Sequence, residues 1–173
     1  MKNDNGLSLI EASVVMVIGA VVISFVLLYY ASVQENKKLT DSIELLQSVI
    51  TSVQRTYASA PIPSEDPASL AVLIAKVGGY QLTDKKIQFP IGGKLELWGG
   101  DRLFWAEIQG FNMSECMRLS TLNLGTSMTD SPELLLSYTS LGHTEFDYAK
   151  ANDLCTQALK GTGVRKLRFA LRV

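Results

Sequence analysis

Apolar residues follow one rhythm from Ala12 to Tyr30 and another from Leu39 to Tyr57. The first stretch is almost continuously apolar and carries no charge. In the second, Leu39, Ile43, Leu46, Ile50, Val53 and Tyr57 recur at alternating steps of four and three, which sets them on one face of a helix. Leu45 and Val49 widen that stripe, while Lys37, Lys38, Asp41, Glu44 and Arg55 fall elsewhere on the surface. No proline interrupts the chain between these stretches. Residues from about Leu7 to Ala58 therefore read as one helix, on the order of 75–80 Å long at 1.5 Å per residue. Its first half (residues 7–31) is apolar all round and its second half (32–60) is amphipathic. The two halves need different surroundings.

Beyond Pro61 the rhythm shortens. "SAPIPSEDPASL" is a turn-rich loop, and Pro67 suits the first turn of a helix through "ASLAVLIAKV" that "GGY" stops. "KLELW", a "GGD" turn and "RLFWAEIQ" predict an antiparallel hairpin. "NMSECMRLSTLNL" reads as a short helix carrying Cys116, and "ELLLSYTS" as one strand. "TEFDYAKANDLCTQALKG" reads as a helix carrying Cys155 and ending at Gly161. In "RKLRFALRV", Leu167, Phe169, Leu171 and Val173 alternate with Lys166, Arg168, Ala170 and Arg172, as in a half-buried strand. The expected fold is α+β: a globular part over residues 61–173, with an antiparallel sheet packed on the second half of the long helix.

The apolar half is long enough to cross a hydrocarbon core of ~30 Å. A cleaved secretory signal is the alternative, but "LLYYASVQEN" offers bulky or polar residues where a small-residue cleavage site belongs. Lysine and arginine number 16 against 17 acidic residues, so there is no basic surplus to make nucleic acid an obligate partner. Lys2 before the span and Lys37 and Lys38 after it leave the membrane orientation undecided by charge. Cys116 and Cys155 could be buried thiols or a bridge; their spacing does not choose. Together with the single His143 they fall short of a four-ligand zinc set, and no acidic cluster has EF-hand spacing, so no metal is expected. The glycine pairs of "PIGGKLELWGGD" lack the Lys-Ser/Thr ending of a phosphate loop, and no nucleophile–base set is visible. Neither an enzymatic activity nor a cofactor is expected.

One carboxylate sits against this pattern: Glu11, just inside the apolar run. Before it stand the short polar leader "MKNDN" and the motif "GLSLIE". These residues resemble the cleavage motif of type IV prepilins. The resemblance implies that a prepilin peptidase cuts between Gly6 and Leu7, leaving residues 1–6 as the leader, and that the new amine of Leu7 is methylated. It also implies an orientation with the leader inside and residues 61–173 outside the cytoplasm. In that compartment a Cys116–Cys155 disulfide is the expected state.

Glu11 then occupies the position of the family's buried glutamate. A carboxylate at membrane depth costs about 2.5–3.5 kcal/mol on insertion scales. Pairing with the terminal amine of an incoming subunit would offset that cost and set register; a solvated interfacial carboxylate near a helix N-terminus is the alternative. Gly19, which costs about 1 kcal/mol relative to Ala inside a helix, is the candidate for local melting, with close helix packing through a small residue as the alternative.

Leu at the new terminus, the absence of Pro from the apolar half, "YY" at its end and two cysteines in the globular part are similar to the type IVb branch, and to bundlin-type major pilins of bundle-forming pili in particular. What this implies is a type IV pilin fold and a homo-oligomeric helical filament. The precursor would sit in the inner membrane with its head in the periplasm, and an inner-membrane assembly platform would deliver it to an extracellular pilus. Such filaments serve adhesion, bacterial aggregation or mating contact. A minor pilin or a type II secretion pseudopilin, priming or tipping a filament, is the alternative.

Overall fold

The computed structural model describes residues 9–62, 67–100 and 102–173, with side chains for 12–62, 70–100 and 102–173. Helix α1 runs without a break from Leu9 to Tyr57. The chain nevertheless divides into two units, between Lys38 and Leu39. The division falls where the continuous apolar run has given way to the periodic stripe, so residues 39–57 of α1 belong to the same unit as the sheet.

In the second unit the stripe is a core face. Leu39, Leu46, Val49, Ile50 and Val53 are buried, and Ile43, Leu45 and Tyr57 pack against them. Ser42 is buried on the same helix and its Oγ accepts the Ile91 N–H at 3.2 Å. Helix α2 spans Pro67–Gly78. Gly79 takes a positive φ of 72° and the Tyr80 N–H reaches back to the Ala75 carbonyl at 3.0 Å, closing the helix in a Schellman-type end. Tyr80 then places its hydroxyl 2.7 Å from Ser48 Oγ and 3.2 Å from Ser52 Oγ, tying the end of α2 to α1.

Seven strands follow: β1 (Leu82–Thr83), β2 (Lys86–Gln88), β3 (Lys94–Gly100), β4 (Leu103–Gln109), β5 (Glu133–Leu136), β6 (Thr139–His143) and β7 (Arg165–Arg172). They form one sheet in the order β1-β2-β3-β4-β7-β5-β6, with every neighbouring pair antiparallel. The last strand in sequence thus lies between β4 and β5. Helix α3 (Met113–Ser120) and a 3-10 turn (Gly125–Ser127) connect β4 to β5, and helix α4 (Tyr148–Lys160) connects β6 to β7. Leu95 and Leu97, Phe104, Ala106 and Ile108, and Leu167, Phe169 and Leu171 alternate inward from β3, β4 and β7. They join the buried side chains of α1, α2, α3 and α4 in one core cluster.

Three local features differ from the sequence expectation. A hairpin joins β1 to β2 through Asp84 and Lys85, both left-handed at φ 53° and 62°. "ELLLSYTS" is two strands rather than one: Ser137, at φ 59°, turns the chain between β5 and β6. Gly99 and Gly100 lie in β3, where "GGD" suggests a turn; a Cβ at Gly100 would meet the Trp105 ring at 3.2 Å.

Candidate functional site

The first described feature with functional chemistry is the apolar part of α1. From Ala12 to Lys38 no residue is buried; Val14, Met16, Phe25, Leu28 and Tyr29 are all open to the surroundings, and only Gly19 is half-covered. The uncharged stretch Ala12–Tyr30 spans roughly 28 Å at the α-helical rise, close to a hydrocarbon thickness of ~30 Å. Tyr29 and Tyr30 end it, where aromatic rings favour a membrane–water boundary. Its hydroxyl at Ser24 is satisfied within the helix, donating to the Ala20 carbonyl at 2.8 Å. At Gly19 the helix is regular and an added Cβ would meet nothing within 4 Å. Glu11 is the third residue of α1, near the helix N-terminus. Its side chain, with Gly6 and Leu7, lies outside the described residues.

The second feature is the link between α3 and α4. Asn112 caps α3: its side chain accepts the Glu115 N–H at 3.0 Å, and the Glu115 carboxylate accepts the Asn112 N–H at 2.8 Å. This capping box aims Cys116 into the core. Asp147 caps α4, accepting the Ala149 N–H at 2.7 Å. Cys116 and Cys155 are bonded at S–S 1.99 Å, with Cα atoms 6.0 Å apart and both residues fully buried. Closing a loop of 39 residues contributes ~4 kcal/mol in the chain-entropy model.

The third feature escapes sequence reading. The sheet face opposite the core carries a ladder of charges across five strands, Lys86, Glu96, Glu107, Lys166, Arg168 and Glu133. Glu96 and Glu107 are direct register partners, an arrangement that alone would be repulsive. Lys166 resolves it, its Nζ lying 3.1 Å from Glu96 and 2.8 Å from Glu107. Arg168 bridges Glu107 at 2.7 Å and Glu133 at 3.3 Å, and Lys86 pairs with Glu96 from the far side. The Lys166 ammonium also stands 5.4 Å from the Tyr138 ring centroid and 6.0 Å from that of Trp98. Burial pushes the Glu96 carboxyl up, but hydrogen bonds from Lys86 and Lys166 and their charges hold it below the ordinary value. Burial likewise pulls Lys166 down, and its bonds to Glu107 and Glu96 raise it above the ordinary lysine value. Lys166 and Arg168, two apart in β7, were the available signal, and in one strand they read as a wet face.

His143 lies 3.1 Å from the Ser131 carbonyl and 3.7 Å from Asp130. Among the described residues no group of three or more His, Cys, Asp or Glu is placed to hold a metal ion.

Comparison with known proteins bears on the N-terminal segment and on most of the chain. Residues 1–27 match the family model described as "Prokaryotic N-terminal methylation motif". Two proteins, each a "Major structural subunit of bundle-forming pilus", come from Escherichia coli O127:H6 (strain E2348/69 / EPEC) and Escherichia coli O111:H-. Each is 30% identical to this chain over 132 residues, covering 73% of this chain and 68% of the relative.

Proposed function

This chain belongs to the type IV pilin family, and from that premise we propose that it is the major subunit of a type IVb pilus. In this reading it polymerises through its N-terminal helix into an extracellular filament for adhesion, bacterial aggregation or mating contact. The observation that carries the reading is the uncovered apolar segment of α1. The described residues leave Ala12–Tyr30 unburied, which fits a segment covered by lipid before assembly and by like helices afterwards.

The proposed route begins in the inner membrane, with the globular head, residues 61–173, in the periplasm. A prepilin peptidase cuts between Gly6 and Leu7 and methylates the Leu7 amine; an inner-membrane assembly platform then moves the subunit into the growing filament. Glu11 pairs with the Leu7 amine of the neighbouring copy. That attraction operates at one axial offset, so a uniform bundle of apolar helices acquires a register. Gly19 is the place where the helix can loosen on assembly. No residue of this chain acts as a catalyst, and no metal or cofactor takes part.

Filaments sheared from cells test the reading. This chain should be their dominant protein, with an intact mass beginning at methylated Leu7, and antibody against it should label the whole shaft. Label confined to tips or bases would instead identify a minor subunit, and a mature chain beginning near Ser32 would identify an ordinary secretory signal.

A further inference from the structure

An open-ended filament of identical subunits needs a heterologous contact, in which one patch of a subunit meets a different patch of the next. Two such patches occur at opposite ends of α4, roughly 20 Å apart at the rise of a 13-residue helix.

At the N-terminal end, Thr144–Asp147 form a tight turn in which Glu145 and Phe146 both hold left-handed backbone, at φ 52° and 57°. The Asp147 N–H bonds to the Thr144 carbonyl at 3.0 Å across it. Glycine and asparagine are the residues that take such positions cheaply; a glutamate and a phenylalanine do not. The surroundings hold the turn in place. Buried Thr144 donates its hydroxyl to the Ser120 carbonyl at 2.6 Å, and the Glu145 N–H donates to Ser131 Oγ at 3.1 Å. The result is a rigid corner presenting Phe146 and Tyr148, 41% and 71% exposed, flanked by the carboxylates of Glu145 and Asp147. Lys150 pairs with Glu145 on one side.

At the C-terminal end lies a hollow of about 850 Å³. Its apolar lining includes Ile91, Phe111, Met113, Leu159 and Val164. Glycine shapes its rim: a Cβ at Gly93 would strike the Gln109 carbonyl oxygen at 2.0 Å, so the two backbones approach closely there, and Gly92 and Gly110 hold positive φ of 92° and 79°. Lys94, Arg165 and Glu115 bring charge to the lining. Lys94 is engaged by Asp84, and Glu115 by its capping box. Among the described residues Arg165 makes no ion pair.

We propose that the Glu145–Tyr148 corner of one subunit docks into this hollow on a second copy, with Phe146 on the apolar lining and Arg165 facing the corner's carboxylates. In this docking the left-handed backbone at Glu145 and Phe146 has a use: it fixes a protruding aromatic side chain for the neighbouring copy. The contact is head-to-tail along α4, so each docked copy leaves one free corner and one free hollow and the series continues. The inference rests on the filament reading above.

Replacing Phe146 by the photo-reactive p-benzoylphenylalanine tests it in the full chain. Irradiated filaments should yield cross-linked dimers whose linked peptides contain Ile91, Met113 or Val164, and detergent-dispersed subunits should yield none. Filaments that contain the chain but give no cross-link, or links mapping elsewhere, overturn the docking while leaving the filament reading intact. Absence of the unsubstituted chain from filaments overturns both. As a second measurement, Arg165→Glu should reduce filament yield, and pairing it with Glu145→Arg should restore yield; unrestored yield from normally folded, disulfide-bonded subunits contradicts the charge pairing.

Discussion

Residues 12–38 and residues 39–173 solve the same problem in opposite ways. Both are rich in Val, Ile, Leu and aromatic side chains. In the second unit those side chains alternate with polar ones at helical or strand spacing, and the chain buries them itself, from Leu46 and Val53 to Phe104 and Phe169. In the first they face every direction around one helix, and the described residues bury none of them. Patterned hydrophobicity makes a self-sufficient domain; unpatterned hydrophobicity on a lone helix creates a demand for an external solvent or partner. Charge is divided in the same way. In the second unit Glu107 is only 2% exposed and is held by Lys166 and Arg168 of its own chain, whereas in the proposed filament Glu11, just before the first, is paired by another copy.

That contrast orders the expected effects of mutation. In the proposed filament Glu11→Gln removes a charge whose partner belongs to another subunit, so it should spare the fold. Insertion and processing proceed, and filament assembly is lost, as breaking one side of a buried pair costs roughly 3–5 kcal/mol. Electron microscopy of cells with normal levels of processed subunit checks this; normal filament number and length would make Glu11 a solvated interfacial carboxylate instead.

Cys116→Ser should act on the other unit. Loss of a native disulfide in a small secreted domain costs ~2–5 kcal/mol, seen as a lower melting temperature and reduced subunit levels. An unchanged melting temperature would show that the core between α3 and α4 holds without the bridge.

Glu107→Gln should cost roughly 3 kcal/mol, the low end for breaking one side of a buried pair, because its ion pairs to Lys166 and Arg168 are both lost while Lys166 keeps Glu96 and Arg168 keeps Glu133. The ladder also gives stability a pH signature. Glu96 titrates below its unfolded value, so its contribution is complete above that value and is lost as pH falls through the folded one. Lys166 titrates above its unfolded value, so its contribution is present below that value and disappears as pH rises through the folded one. Denaturant melts across pH should show both flanks, and Glu96→Gln should flatten the acid one.

How much of this was legible follows from what each signal depends on. The stripe from Leu39 to Tyr57, the helix opened by Pro67 and the hairpin of β3 and β4 depend on local spacing and local turn chemistry, and they are visible in a single pass along the chain. The turn at Asp84–Lys85 was hidden because its left-handed residues are not glycine or asparagine. The break at Ser137 was hidden for the same reason. Lys166 alternates with Leu167 and so looks like a solvent-facing lysine. Only the register of β3, β4 and β7 brings Glu96 and Glu107 to it, and register between distant strands leaves little trace in either strand alone. The docking corner is less legible still, since nothing in "TEFDY" announces two left-handed residues.

In the proposed assembly the apolar segment exchanges a lipid covering for a covering of its own copies. Phe25, 69% exposed in the middle of that segment, is the place to measure it. With p-benzoylphenylalanine at this position, irradiated subunits in membranes should link to lipid. In filaments they should link to residues 12–38 of another copy. Lipid adducts in both states, or none between copies in intact filaments, would contradict the account.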